Sequence, residues 1–399
     1  MKALSGIRIL ELTHMVSGPY AGMLMADMGA ETIKVEPPVH GEMTRGLMAD
    51  DDPKFNIEGM GPYFLNLSRN KKSVTINLKS EQGLVLFYEL VKVSDIVLNN
   101  YSVGVVERLK IDHDRLAEIN PRIITCSVTG FGETGPNKNF PSYDMVAQAM
   151  SGVMSVTGQP NNPPTRAGYP TADVSASLMA VIGVLSAVVA RSQTGRGQHV
   201  DISMLDTQIS ALNYAATIHL MSGVDPQRIG NAHINHVPYE VYPCKDGHII
   251  LAVVTDEFWV NLMDILDLPD LHTEENLKRA GRLKNRVQID GELNRVFLDH
   301  EKEYWLDKLR AARIPCAPVN TFSEAFKEPQ VIARNMVVET KNPNGDRIRM
   351  PGNPVKLSET YEDSFTFAPL LGQHNEEIYQ GLLGKSDDEL TALKSAGAI

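Results

Sequence analysis

The sequence predicts an α/β protein in which a large domain, built on a parallel sheet, is combined with a smaller α+β domain. Short runs rich in branched residues alternate with helical stretches in the first half, turn signals crowd the middle, and sheet-and-helix character returns towards the end. The 399 residues suffice for two or three domains of about 100–200 residues each. We assign residues 1–224 to the large domain, 225–320 to the small domain and 321–399 to a return to the large domain.

Six runs in the first half are predicted to be strands, because each is short, rich in branched side chains and bounded by turn residues. Pro19 stands in the first turn of a predicted helix at 18–29, and Ser80 opens another that runs to about Val93. The last strand leads into a helix predicted to extend to about Met221. This β–α–β order predicts parallel strands with helices on both faces. The six predicted strands are 7–12, 31–36, 73–78, 95–100, 122–130 and 197–204.

The middle of the chain has a different character. Turn residues crowd the stretch 222–254, which contains the hairpin-like segment DGHIILAVV. Three amphipathic stretches follow, so we expect an α+β domain here. Near the C-terminus, SDDE at 386–389 matches a capping box and predicts a last helix. The three amphipathic stretches are 256–267, 286–299 and 301–313.

Composition argues against several classes of partner. The formal net charge of −11 makes nucleic acid or an anionic membrane an unsuitable partner. Three widely spaced cysteines, Cys126, Cys244 and Cys316, form neither a disulfide framework nor a thiolate metal site, and no secretion signal is recognised. The apolar run 174–190 is short for a membrane span and contains serines, so we expect a buried core helix. We therefore predict a cytoplasmic protein without a membrane partner.

Two short motifs give only weak signals. GFGETG at 130–135 matches a dinucleotide fingerprint, but Pro136 and a polar stretch follow where such a fingerprint opens a helix. HINH at 233–236, with Glu240 nearby, is a loose pattern for a metal and lies among turn residues. We therefore predict a glycine-rich loop and no metal site. The sequence contains no G-x-S-x-G elbow and no P-loop.

One carboxylate, Asp173, stands at the head of the long apolar run. Two interpretations are open. Asp173 could be a plain N-cap, because free backbone N–H groups and the helix dipole stabilise a carboxylate there. It could instead be a nucleophile that is held, partly desolvated and presented to an acyl centre. Its small neighbours Thr171, Ala172, Ser175 and Ala176 would leave room for a bulky thioester.

Basic residues are frequent in the first 110 positions, several of them at strand ends or in the loops that follow. Ligands of open α/β sheets bind at the carboxyl ends of strands, so a phosphate-bearing ligand is one interpretation. Solvated surface charges are the other. The residues concerned are Lys34, Arg45, Arg69, Lys71, Lys72, Lys79 and Arg108.

Six longer segments carry a pattern that runs through nearly the whole chain. They are GAETIKVEPPVHGEMTR (29–45), LNLSRNKKSVTINLK (65–79), NPRIITCSVTGFGETGP (120–136), YDMVAQAMSG (143–152), GRGQHVDISMLDTQ (195–208) and RIGNAHINHVPYEVY (228–242). Together they resemble the class III coenzyme A transferases, the family of formyl-CoA transferase and carnitine CoA-transferase that also contains alpha-methylacyl-CoA racemase. These segments are specific for the family but do not name a substrate.

The resemblance implies a CoA-transferase that exchanges CoA between an acyl-CoA donor and a small carboxylic acid, including dicarboxylic acids such as succinate. Asp173 would be the nucleophile, passing through a mixed anhydride and an aspartyl-CoA thioester. The acyl-CoA and the acid are substrates, and no tightly bound cofactor is implied. The resemblance also implies a Rossmann-like large domain and a homodimer whose two chains are interlocked.

Positions that would contact CoA carry over from the same resemblance. Val16 and Ser17 would contact the ligand after the first strand, and Asn100, Tyr101 and Ser102 after a later one. The adenine side would be lined by Ile76, Asn77, Leu78 and Lys79, and Arg108 would face a phosphate. The pantetheine and the active centre would be flanked by Ser142, Tyr143 and Asp144.

Three departures from the family pattern limit what the resemblance implies. Pro37 stands where some members carry an arginine, so a basic contact to CoA would have to come from elsewhere. GNAHINHVPYE (230–240) replaces the glycine-rich flap of the formyl-specific enzymes, which puts formyl-CoA and oxalate in doubt as substrates. Tyr143 replaces the histidine of the racemases, which favours transfer. Two alternatives stay open: an acyl-CoA racemase or epimerase, and a CoA-binding protein without activity.

Overall fold

The computed structural model describes residues 1–342, 344–360 and 364–399. The chain forms two compact units. The large unit comprises Met1–Val153, Ala167–Ile218 and Pro329–Ile399, and the small unit comprises Met154–Arg166 and His219–Glu328. The segment Met154–Arg166 was not anticipated in the small unit, because nothing in its composition marks a change of domain.

A six-stranded parallel sheet forms the centre of the large unit, and its order is β3-β2-β1-β4-β5-β6. The predicted α/β class with a parallel sheet is confirmed. Because the order reverses between β1 and β4, a crevice opens at the carboxyl ends of these two strands. The six strands are β1 (Arg8–Leu12), β2 (Glu31–Glu36), β3 (Lys71–Thr75), β4 (Ile96–Asn99), β5 (Ile124–Thr129) and β6 (His199–Ser203).

The other strands of the described residues form two antiparallel sheets. The small unit contains a sheet of order β7-β8-β9, and a hairpin of β10 and β11 lies in the large unit. These strands are β7 (Tyr239–Cys244), β8 (Gly247–Ala252), β9 (Cys316–Pro318), β10 (Val337–Lys341) and β11 (Arg347–Pro351).

The helices account for most of the remaining regular structure. In chain order they are α1 (Ser17–Asp27), α2 (Pro62–Leu67), α3 (Glu81–Lys92), α4 (Val105–Arg108), α5 (His113–Ile119), α6 (Asp144–Met150), α7 (Val153–Val156), α8 (Thr171–Thr194), α9 (Met204–Ala211), α10 (Asn213–Ser222), α11 (Asp256–Leu266), α12 (Arg279–Lys284), α13 (Arg286–Phe297), α14 (Lys302–Ala311), α15 (Phe322–Ala325), α16 (Pro329–Ala333) and α17 (Asp387–Ser395). A 3₁₀ turn lies at Pro53–Phe55 and a π-helix at Glu377–Leu382.

Hydrophobic cores cover both faces of the parallel sheet. Ile9 packs into a core with α1 and α8, whereas the next residue, Leu10, packs into a core with α3 and α17 on the opposite face. Alternate side chains of a strand point to opposite faces, so a strand buried on both sides reads as a continuous apolar run. This explains the consecutive apolar residues of β4 and of Ile9 and Leu10 in β1.

Two predicted elements differ from the structure. The strand expected at 73–78 lies at Lys71–Thr75, because the Asn77 N–H turns away from the sheet and donates to the Ala398 carbonyl at 2.8 Å. The helix expected to reach Met221 is divided into α9 and α10 at Asn213, whose φ of 48° is left-handed. The capping box at Ser386 is confirmed, since Ser386 and Glu389 exchange side-chain and backbone hydrogen bonds.

Helix α8 is the one helix among the described residues that is long and apolar enough, by length and composition, to cross a membrane. In the structure it packs on β5, β6, α1 and α9. Its buried face consists largely of small residues, and these allow the close approach of the sheet. They include Ala172, Ala176, Ser177, Ala180 and Ala187.

Candidate active site

The N-terminus of α8 opens on a cavity of about 260 Å³ at the carboxyl ends of β1 and β5, and we call this the acyl cavity. Asp173, the third residue of α8, lines it. The other lining residues are about half apolar and half polar, and the polar ones carry hydroxyl, amide, imidazole and ammonium groups. The lining residues are His14, Met15, Ser17, Met43, Asn100, Tyr101, Ser102, Val103, Val128, Thr129, Gly130, Lys138, Phe140, Pro141, Ser142, Tyr143, Asp173 and Met204.

Asp173 does not cap its own helix, because a second aspartate does so. The carboxylate of Asp144, the first residue of α6, accepts the backbone N–H groups of Ala172 at 2.8 Å and Asp173 at 3.3 Å. Gln148 donates to the other oxygen of Asp144 at 2.6 Å. Among the described residues no group donates a hydrogen bond to the Asp173 carboxylate. The plain N-cap interpretation is therefore wrong, and this carboxylate is available to a ligand.

Burial raises the pKa of Asp173 to about 7, and the negative charge of Asp144 adds to the effect. Desolvation disfavours the charged form of a carboxyl group, and a nearby like charge acts in the same direction. A carboxylate with so high a pKa is more basic and less hydrated than a surface aspartate. Both properties favour nucleophilic attack.

Hydrogen bonds from α9 fix the first turn of α8. The Gln208 amide donates to the Thr171 carbonyl at 3.2 Å and to the Ser175 hydroxyl at 2.9 Å. The buried Ser177 hydroxyl donates to the Ser17 carbonyl at 2.6 Å, which joins α8 to the first residue of α1. The backbone around Asp173 is thus held from two sides, and its side chain is presented at a defined place.

A second cavity of about 420 Å³ adjoins the acyl cavity, and both are lined by His14 and Tyr101. We call it the nucleotide cavity. Its floor is apolar, and Lys79 and Arg108 stand exposed at its rim without an ion pair to any described residue. An apolar floor with free cations suits a ligand that carries an aromatic base and phosphates. The lining residues are His14, Val35, Glu36, Pro37, Ile76, Asn77, Leu78, Lys79, Tyr101, Val105, Arg108 and Leu109.

Residues 4–375 match the family model described as CoA-transferase family III. The chain belongs to this family. This CoA-transferase is 34% identical over its whole length to the human succinyl-CoA:glutarate CoA-transferase, covering 90% of that protein. It is 36% identical to the acetyl-CoA:oxalate CoA-transferase of Acetobacter aceti, over 90% of each chain.

One further relative and one solved structure support the same family assignment. The transferase is 35% identical to the formyl-CoA:oxalate CoA-transferase of Streptomyces coelicolor, over its whole length and 99% of that protein. A crystal structure of a CAIB/BAIF family protein from Brucella suis superimposes with a TM-score of 0.84 at 33% identity, covering 96% of this chain and 99% of that chain. The relatives span the same length as the transferase, so the family assignment applies to nearly the whole chain.

The structure brings most of the predicted site residues of the transferase to the two cavities. The predicted residues that line the acyl cavity are Ser17, Asn100, Tyr101, Ser102, Ser142, Tyr143 and Asp173. Those that line the nucleotide cavity are Ile76, Asn77, Leu78, Lys79, Tyr101 and Arg108. Two predicted residues line neither cavity. Val16 precedes the first turn of α1, between two residues that do line the acyl cavity, and Asp144 lies behind Asp173 as its helix cap.

Sequence reasoning missed His14 and Lys138 in the acyl cavity. His14 is the second residue after β1, and its backbone exchanges hydrogen bonds of 2.8 and 2.7 Å with the Asn100 side chain beyond β4. Its position at a strand end was the available signal. Lys138 lies in the loop after β5, where its type and spacing gave no signal.

The glycine-rich motif forms a loop, as predicted. β5 ends at Thr129 and no helix begins before Asp144, so the motif lacks the helix of a dinucleotide site. A Cβ at Gly130 would lie 2.2 Å from the Ser142 Cβ, so only glycine lets the two ends of the loop meet. Within the described part of the chain, no group of three or more His, Cys, Asp or Glu residues is placed to hold a metal ion.

Proposed function

We propose that this family III enzyme moves CoA from an acyl-CoA donor to a small carboxylic acid through covalent attachment to Asp173. The state of the Asp173 carboxylate carries the proposal. This carboxylate lines a cavity, it does not cap its helix because Asp144 does so, and its pKa is raised. The adjoining nucleotide cavity supports CoA as the carrier.

In the first half-reaction, an oxygen of ionised Asp173 attacks the thioester carbonyl carbon of the donor. The carbon–sulfur bond breaks and the CoA thiolate leaves, which gives a mixed anhydride between Asp173 and the donor acid. The thiolate then attacks the aspartyl carbonyl carbon. The donor acid departs as a carboxylate, and Asp173 is left as an aspartyl-CoA thioester.

In the second half-reaction, the acceptor carboxylate attacks the aspartyl-CoA thioester and again expels the thiolate. The thiolate attacks the acceptor carbonyl of the new anhydride, which forms the product thioester and releases Asp173 as a carboxylate. Four acyl transfers, two in each half-reaction, replace one direct exchange. The bond count is unchanged over the cycle, so neither water nor an external energy source is needed.

The two cavities suggest how CoA lies in the site. Lys79 and Arg108 at the rim would bind its phosphates, since neither forms an ion pair with a carboxylate of the described residues. Arg108 and Lys79 thereby replace the basic contact that Pro37 cannot provide. The pantetheine would pass His14 and Tyr101, whose ring centroids are 5.4 Å apart, to bring the thioester to Asp173.

The relatives support small dicarboxylic acids as the substrate class. Their names specify succinyl-CoA, acetyl-CoA or formyl-CoA as donor and glutarate or oxalate as acceptor. A racemase would need a second acid–base group opposite Asp173, and Tyr143, at the position of the racemase histidine, is 67% exposed. Transfer therefore remains the better proposal.

The functional test supplies acetyl-CoA or succinyl-CoA as donor together with a panel of mono- and dicarboxylic acids, and identifies new thioesters by mass spectrometry. We expect exchange with at least one dicarboxylic acid. Deuterium entering the α-carbon of a branched acyl-CoA from heavy water, without a second acid, would indicate a racemase. CoA binding without exchange for any acid would indicate a binding protein without activity.

We also propose that the enzyme is a homodimer, with interlocked chains as the family resemblance implies. Five large apolar side chains on α8 and on the adjoining α9 are 42–61% exposed, and exposed apolar residues on neighbouring helices suit a contact with another protein surface. A second copy would cover these side chains. They are Leu178, Met179, Ile182, Val189 and Ile209.

Light scattering of the full chain tests the dimer. The wild type should have twice the mass of the chain, and Ile182→Asp should shift the equilibrium towards monomer, because a buried unpaired carboxylate destabilises an interface. The exposed Val287→Asp, in the small unit, serves as the control and should leave the mass unchanged. A monomeric wild type would contradict this proposal. Binding of lipid vesicles through α8, measured by co-sedimentation, would also contradict it.

A further inference from the structure

The acyl cavity is lined by one cationic and one anionic side chain. Lys138 is the one lysine or arginine among its lining residues, and Asp173 is the one carboxylate. Burial and the nearby Lys34 lower the pKa of His14, which favours its neutral form. A ligand with an anionic group at the end remote from the thioester therefore finds a single cation in this cavity.

The loop that carries Lys138 is fixed at both of its ends. Gly130 and Ser142 meet so closely that only glycine fits, and the Glu133 N–H donates to the Asp201 carboxylate of β6 at 3.0 Å. Lys138 itself lies within a turn that the Phe140 N–H closes by donating to the Asn137 carbonyl at 2.9 Å. The backbone at Lys138 is thus placed beside the cavity by the fold.

The ammonium group of Lys138 is uncommitted. Its side chain is exposed, and it forms neither an ion pair nor a hydrogen bond with any described residue. A lysine ammonium offers three donors on a flexible stem, so it can follow carboxylates at slightly different distances. This is the property needed to accept dicarboxylic acids of different chain length.

We propose that Lys138 selects acids with a second carboxylate by pairing with the carboxylate that does not react. The proposal rests on the function proposed above and assigns the specificity of the same site. A dicarboxylate brings two negative charges into a cavity that already contains the nucleophilic carboxylate. Its distal charge is stabilised only if a cation faces it, whereas an acid with a methyl group at that end needs none.

The test compares succinate and butyrate, two four-carbon acids that differ in the distal group, with acetyl-CoA as donor. In Lys138→Met the ratio of kcat/KM for succinate to that for butyrate should fall about tenfold, the usual effect of losing one charge-assisted hydrogen bond. The matched control is Lys92→Met, an exposed lysine of α3 outside both cavities that changes the net charge equally. It should keep the wild-type ratio.

Two further measurements separate pairing from a structural role. Lys138→Glu should lower the ratio further than Lys138→Met, and added salt should raise the KM for succinate in the wild type but not in Lys138→Met. An unchanged ratio in both variants would overturn the role of Lys138 while leaving CoA transfer intact. A higher KM for acetyl-CoA with both acids would show that Lys138 binds CoA instead. Absence of exchange in the wild type would overturn both proposals.

Discussion

Asp173→Asn is expected to lower the rate of CoA exchange by about a thousandfold or more, because an amide cannot form the anhydride that begins each half-reaction. CoA should still bind, since the nucleotide cavity is unchanged. The measurement is the rate of thioester exchange together with the Kd for CoA from calorimetry. Loss of both would indicate a folding defect, and a near-normal rate would show that Asp173 is not the nucleophile.

Asp206→Asn provides a matched control. Asp206 is the third residue of α9 as Asp173 is the third residue of α8, but it is exposed and lines neither cavity. Its helix is capped by Ser203, whose hydroxyl accepts the Asp206 N–H at 3.1 Å. Both substitutions remove one negative charge from the first turn of a helix. Only the one at Asp173 should affect exchange.

The rate should also fall on acidification, with a midpoint near pH 7, because the pKa of Asp173 is raised to about 7 and only the ionised form attacks. In kcat/KM the rate should drop about tenfold for each pH unit below this midpoint. Asp144→Asn should move the midpoint to lower pH, since it removes the like charge. The midpoint should stay above the ordinary pKa of aspartic acid, because burial is the larger cause of the raised pKa. A midpoint near pH 4 in the wild type would contradict the site as described.

The same pKa has a consequence for stability. Below the ordinary pKa of aspartic acid, Asp173 is protonated in both the folded and the unfolded chain, so it does not lower the free energy of unfolding. As the pH rises towards 7, the unfolded chain releases the proton first, so the free energy of unfolding decreases until Asp173 ionises in the folded state too. Asp173→Asn should therefore raise the free energy of unfolding by about 1–3 kcal/mol at pH 8 and by less at pH 5, as measured by denaturation.

Much of the large unit could be predicted from the sequence because its central strands are buried on both faces. Ile9 and Leu10 pack into cores on opposite sides of the sheet, so neighbouring positions of such a strand are both apolar. The prediction failed where a tertiary contact overrides the local pattern. The Asn77 N–H donates to the carbonyl of Ala398, more than three hundred residues away, and so β3 ends before the predicted strand does.

The candidate nucleophile could be predicted, but its surroundings could not. Asp173 was recognisable as a lone carboxylate at the head of an apolar run, and the family resemblance gave it a role. The choice between cap and nucleophile depended on Asp144, which lies 29 residues earlier and reaches the helix only in the folded chain. Lys138 was missed for the same reason, because a loop brings it to the acyl cavity without any local pattern.

The covalent role of Asp173 is tested most directly with an acceptor acid whose carboxylate carries oxygen-18, incubated with the enzyme and an unlabelled acyl-CoA in ordinary water. In each cycle the acceptor leaves one of its oxygens on the side chain that it attacked. After proteolysis, mass spectrometry should find heavy oxygen in the peptide that contains Asp173, and in the carboxylate of that residue. If the acid is converted to its thioester while this peptide stays unlabelled, CoA is transferred without an anhydride at Asp173, and the covalent role of this residue is contradicted.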